Sequence, residues 1–161
     1  MTEPSYSLPV GCTLRQATPQ DIWQIRKLVL GAKLDPTQLR SQQFWVIEWE
    51  EKLVACGQLR HFSGAQELGS LVVTPTWRDH GLGTFLAKHL MQQAQQPLYL
   101  ECLGKRLEQF YTRLGFVPIS WQELPQSLKL KFGLSQLART LFKIPVTIMK
   151  QGSAIDGNTA P

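Results

Sequence analysis

The chain has 161 residues, 43% of them hydrophobic, and a net charge of +5 from 17 lysines and arginines against 12 acidic residues. That length and composition fit one globular domain and exclude a disordered chain. The modest positive charge favours an anionic ligand, and with no basic block or recognised motif a nucleic-acid surface is not expected. No apolar run reaches the roughly 20 residues of a membrane span. The opening Met1-Thr2-Glu3-Pro4-Ser5 lacks the layout of a secretion signal, so a cytoplasmic protein is expected. Cys12, Cys56 and Cys102 are odd in number and far apart, which points to reduced core thiols rather than a disulfide framework or a metal site.

A strand is predicted over Thr13 to Ala17. Thr18 and Pro19 follow as helix cap and first helical residue, because proline carries a helical φ and has no amide to lose there. Ile22, Ile25, Val29 and Ala32 continue a helical stripe, so the first helix is predicted over Pro19 to Gly31, with a short second one within Lys33 to Ser41. Phe44 to Trp49 and Leu53 to Arg60 read as an antiparallel hairpin across the polar link Glu50-Glu51-Lys52. Gln66 to Val73 is a third strand, ending at Thr74-Pro75. The next helix begins near Gly83, carries Leu82, Phe85, Leu86, Leu90 and Ala94 on one face, and closes at Gln95-Gln96-Pro97. After the strand Leu98 to Cys102, Leu107, Phe110, Tyr111 and Leu114 mark a helix that Gly115 ends in a left-handed conformation. Phe116 to Ser120 and Ile144 to Met149 are the last strands, with a helix over Pro125 to Phe142 between them. Residues 1–150 are expected to form a single α/β domain with helices on the faces of a mixed sheet, and 151–161 a disordered tail.

The stretch Leu71 to Thr84 holds the most chemistry: a buried strand, a proline break, and an Arg-x-x-Gly-x-Gly turn that opens a helix. A helix N-terminus offers unpaired N–H groups and partial positive charge, and glycines let those amides approach a pyrophosphate closely. Arg78 adds charge beside them. On spacing alone, a tight structural connection explains the glycines equally well. A dinucleotide fingerprint wants a third glycine where Leu86 stands, and a Walker-type loop wants a lysine that Gly83-Thr84-Phe85 lacks.

With Arg78, Gly81 and Gly83 placed after Glu67 to Pro75, the chain resembles the GNAT superfamily of CoA-dependent N-acyltransferases. Phe110-Tyr111-Thr112-Arg113-Leu114-Gly115-Phe116 is similar to that family's Phe-Tyr-x-x-x-Gly-Phe segment, and Leu14 to Asp21 to its first strand and helix start. The resemblance covers about Thr13 to Ile119. It implies a mostly antiparallel, twisted sheet with helices on both faces, whose central strands splay around acyl-CoA. It also implies acetyl-CoA as co-substrate and direct transfer to a primary amine in a ternary complex, by a monomer or homodimer. The pyrophosphate would lie on the amides of His80, Gly81, Leu82, Gly83 and Thr84, with Arg78 and Asp79 in the same turn, and the pantetheine along the backbone of Val72 and Val73. Asp79 stands where the family commonly has glycine, and Gly104 where it often has asparagine.

Tyr111 aligns with the family's proton donor, whereas periodicity alone makes it a core residue. Glu67 aligns with the acidic residue that takes the amine's proton, the plain alternative being a solvated strand carboxylate; Glu101 is a second candidate. Cys102 has no neighbouring histidine in sequence, which argues against an acyl-cysteine. Trp121 and Glu123 fall where the family varies its acceptor pocket. The Leu-Pro pair, basic helix and closing strand are faintly similar to the acetyltransferase domain of N-acetylglutamate synthases, which implies an amino-acid acceptor. A rival reading takes Leu128 to Lys143 as the working surface of a non-catalytic protein. There Lys129, Lys131, Arg139 and Lys143 interleave with Leu130, Leu134, Leu137, Ala138 and Leu141, a pattern that suits a partner or an anionic membrane, though a helix docked on the core explains it too.

Overall fold

The computed structural model describes residues 7–143 and 145–153. Seven strands join one sheet in the order β1-β2-β3-β4-β5-β7-β6. They are β1 (Cys12–Gln16), β2 (Phe44–Trp49), β3 (Lys52–Phe62), β4 (Ala65–Val73), β5 (Leu98–Leu103), β6 (Phe116–Pro118) and β7 (Val146–Gln151). Every pairing is antiparallel except β4 with β5. The helices are α1 (Ile22–Gly31), α2 (Leu82–Gln93), α3 (Gly104–Arg113) and α4 (Gln126–Phe142).

Local chemistry accounts for most of these bounds. The turn Pro19–Asp21 is 3-10 and runs into α1, its Asp21 carboxylate accepting from the Thr18 amide at 2.7 Å. The hairpin between β2 and β3 turns on Glu50 (φ 47°) and Glu51 (φ 61°), the two left-handed residues that a two-residue connection of matching twist requires. Gly115 has φ 96° and closes α3 as expected. The expected second helix within Lys33 to Ser41 is absent: Lys33 (φ 56°) and Gln38 (φ 57°) are left-handed, the Asp35 carboxylate accepts from the Thr37 amide, and only Ser41–Gln43 forms a 3-10 turn. β7 takes in Gln151, the first residue of the expected tail; Ile144 and residues 154–161 lie outside the described residues.

The core is split by the sheet. Leu82, Leu86 and Leu90 of α2 pack with Ile47, Ala55, Leu68, Leu98, Leu100 and Tyr111. Ile25 and Val29 of α1 pack with Phe44, Val46, Cys56 and Val72. On α4 it is Leu128 and Phe132, with Leu124 just before the helix, that meet Ala65, Tyr99 and Ile148. The leucines of the expected basic stripe, Leu130, Leu134, Leu137 and Leu141, face outward instead. The Arg139 side chain lies outside the description. Among the described residues no helix is long and apolar enough to cross a membrane.

Candidate active site

Strands β4 and β5 pair only at Gln66 with Leu98 and Glu67 with Tyr99, then part while β4 continues to Val73 and β5 to Leu103. Gln66 fixes the base of this V: its side-chain oxygen accepts from the amides of Gln95 and Gln96 at 2.7 and 2.8 Å, just after α2. On its other edge β4 carries a bulge, where pairing with β3 slips between Gly69 and Val72 and Ser70 takes φ 50°. The extra residue reverses the side-chain alternation, so Leu68 joins the α2 side of the core and Val72 the α1 side although they stand four positions apart.

The turn from β4 into α2 lies at the open end. Asp79 (φ 64°) and Gly81 (φ 79°) are both left-handed, and Gly81 caps α2 without any side-chain hydrogen bond to its first turn. Those first-turn amides carry the helix's partial positive charge into the parted strands. A Cβ on Gly83 would meet Val73 and Phe110 at 3.7 and 3.9 Å, ordinary contact distances, so packing does not demand glycine there; its absence of side chain keeps the space beside the turn open. Arg78 is exposed and its Nε donates to the Val73 carbonyl at 3.4 Å, while His80 Nδ1 lies 2.8 Å from the Arg78 carbonyl. Leu82 is buried, so only its backbone belongs to the turn. The set fits a pyrophosphate.

Tyr111 sits on the inner face of α3, 7% exposed, edge-on to Phe110 and Phe116 at 5.0 and 5.7 Å between ring centres. Burial, with a smaller contribution from Cys102, pushes its phenol above the ordinary tyrosine value, so it keeps its proton. Leu107, expected on the same stripe, is exposed. Cys102 lies beside Met149, its thiol pushed up to about 11 chiefly by burial, and Cys56 to about 12, so neither is a thiolate near neutrality.

A cleft of about 520 Å³ opens beside the parted strands, bounded by residues that follow α1, by β3, β4 and β5, and by α4. Its floor is an ion cluster. Glu67, only 4% exposed, accepts from Arg60 Nη1 at 3.1 Å, and both of its oxygens accept from Lys131 Nζ. Arg60 Nη2 donates to Ser70 Oγ at 3.2 Å, which ties the cluster to the bulge. The guanidinium lies so close over β4 that a Cβ on Gly69 would stand 2.2 Å from Nη1. Burial holds the Lys131 ammonium below the usual lysine range, against the opposing pull of Glu67.

Glu67 is therefore neither solvated nor alone, and Glu101 lines the same cleft. Trp121 and Glu123 are not among the lining residues: the Glu123 carboxylate accepts from the Ser120 amide and hydroxyl, closing a capping box, and Trp121 lies 6.0 Å from the Lys129 ammonium. Arg60, Gly69 and Ser70 escaped the reading of the sequence, and Lys131 was read only as part of a basic helix face, not as a partner of Glu67. Glycine in a strand was the one signal of a close approach.

A β-bulge, a parting parallel pair and a helix start at its open end, in an otherwise antiparallel sheet, give a fold of the GNAT type. Residues 40–118 match the acetyltransferase (GNAT) domain family. Solved structures share the fold. N-acetylglutamate synthase from Neisseria gonorrhoeae, complexed with coenzyme A and L-arginine, superposes with a TM-score of 0.66 at 22% identity, over 89% of this chain and 33% of that one. Rv2747 from Mycobacterium tuberculosis, in complex with CoA, gives 0.69 at 22% identity over 88% of this chain and 99% of that one. In sequence, the chain is 28% identical over 141 residues to an amino-acid acetyltransferase from Shewanella oneidensis, covering 80% of this chain and 32% of the relative. The chain spans a third or less of the length of the curated relatives it matches.

Proposed function

We propose that residues 1–150 form one domain that moves an acetyl group from acetyl-CoA to a primary amine. The observation that carries this reading is the parting of β4 and β5 beside an N-terminus of α2 whose glycine cap has no side chain to occupy the first-turn amides. Acetyl-CoA supplies the activated thioester. The amides of His80, Gly81, Leu82, Gly83 and Thr84, with Arg78 in the same turn, hold its pyrophosphate, and the β4 edge at Val72 and Val73 offers backbone partners to the pantetheine. Arg78 now occupies the Val73 carbonyl and must turn toward the phosphate for both contacts to form. Asp79 is exposed and supplies the left-handed turn residue rather than charge complementarity.

Tyr111 donates the proton that the departing sulfur needs, a role its raised phenol suits. Glu67 takes the proton from the amine. Activity is expected to rise toward alkaline pH, where more of the acceptor amine is neutral. The protonated Cys102 thiol supports direct transfer over an acyl-cysteine. Three buried free cysteines suit a reducing, cytoplasmic setting.

Calorimetry with acetyl-CoA, followed by thiol release over a panel of amines, tests the reading. Binding and amine-dependent release are expected, and absence of acetyl-CoA binding overturns it. Tyr111→Phe is expected to lower kcat by about 100-fold with the acetyl-CoA Kd unchanged; an unchanged kcat removes Tyr111 from the chemistry.

A further inference from the structure

The walls of the cleft differ from its floor. Leu34, Phe62, Leu103, Leu130, Leu134 and Val146 line it, and Leu130 and Leu134 are 83% and 70% exposed, standing on α4 with no described element over them. Large apolar side chains held open around a cavity gain by covering, and a ligand with an apolar body covers them. The charged groups do not ask for a further anion. Among the described lining residues Lys33, Arg60 and Lys131 are matched by Asp35, Glu67 and Glu101, and the two buried cations already share Glu67. Arg60 Nε alone lacks a hydrogen-bond partner among the described donors of the cluster; at Arg60 Nη1 or Lys131 Nζ a carboxylate on the acceptor would compete with Glu67, and breaking a buried pair in that way is costly.

We infer that the cleft takes a primary amine with an apolar alkyl or aryl body and no carboxylate. This rests on the acetyltransferase reading, and it departs from the amino acids named for the curated relatives. The amine nitrogen faces the Glu67 end of the cleft while the body lies against Leu130 and Leu134. The new amide forms between the acceptor nitrogen and the acetyl carbon as the carbon–sulfur bond breaks, the nitrogen's proton leaving toward Glu67 and the sulfur taking one from Tyr111.

Three matched probes test this by direct calorimetric binding to the full chain and by thiol release with acetyl-CoA: phenethylamine, phenylalanine, which adds only a carboxylate, and ethylamine, which lacks the aryl body. Phenethylamine is expected to bind and turn over at least about tenfold better than either. Leu134→Asp, at an exposed helical position, is expected to raise the phenethylamine KM by about tenfold or more while leaving the acetyl-CoA Kd and the ethylamine KM unchanged. Preference for phenylalanine or glutamate, parity of ethylamine with phenethylamine, or indifference of phenethylamine to Leu134→Asp overturns the inference. Phenethylamine binding that Leu134→Asp abolishes, with no thiol release from any amine, upholds the acceptor class and overturns the acetyltransferase reading instead.

Discussion

The turn that opens α2 is assembled from sequence neighbours, Thr74 to Thr84, whereas the floor of the cleft joins Glu67 to Lys131 across 64 positions. In the first region backbone conformation does the work: left-handed Asp79 and Gly81, a glycine at position 83, and amides that a helix start leaves unpaired. In the second, side chains do it: Arg60, Glu67, Ser70 and Lys131 are held by one another and by the docking of α4 through Leu128 and Phe132. A cofactor site made of backbone survives exchange of most side chains around it. An acceptor site made of side chains on three elements changes with a single substitution, so specificity can drift while cofactor binding stays.

That contrast is broken or sharpened by substitutions placed on either side. Gly83→Glu has the largest expected effect, loss of measurable acetyl-CoA binding by calorimetry, because the longer side chain fills the open space and its charge repels phosphate. The fold should survive, since the Cβ alone meets only Val73 and Phe110 at ordinary distances; a wild-type Kd would show that the turn does not hold the cofactor. Gly69→Ala acts on the other side. Its Cβ drives the Arg60 guanidinium off Glu67, with an expected loss of about 1–3 kcal/mol in urea unfolding and weaker amine binding, at an unchanged acetyl-CoA Kd. Equal weakening of both ligands would mean that the two regions are not independent.

Asp21 lies outside both and has the smallest effect. Arg15 holds its carboxylate at about 2, against 3.8 unperturbed, through paired contacts of 2.7 and 2.9 Å. A depressed carboxylate stabilises the fold above its unfolded value, and that contribution disappears as pH falls from about 4 through 2. Asp21→Asn should therefore cost about 1–2 kcal/mol in urea unfolding at pH 6, allowing for solvent at the half-open Arg15, and almost nothing at pH 2, with both ligand affinities intact.

The reading of the chain succeeded where a residue's environment is set nearby. Phe44–Trp49 was bounded correctly, α1, α2 and α3 were found from their apolar spacing, and the parted strands agree with what the family resemblance implied. It found α4 to within a residue but not its docked face, because leucines at 130, 134, 137 and 141 and leucine and phenylalanine at 128 and 132 offer two faces of similar apolar strength. Trp121 and Glu123 were placed at the acceptor by analogy, yet Glu123 is consumed by a cap only three residues away. The segment after α1 was read as helical, although its left-handed residues are a lysine and a glutamine, types that give no such warning.

Local spacing and turn chemistry thus determine the order of strands and helices, the phosphate-type turn and the placing of Tyr111 on a buried helical stripe, because each depends on residues within a few positions of one another. The ion cluster, the close passage of Arg60 over Gly69 and the leucine wall of the cleft were decided only by the tertiary structure. Periodicity reports which side of an element is buried, but the bulge at Ser70 and the docking of α4 choose which distant residues that side meets.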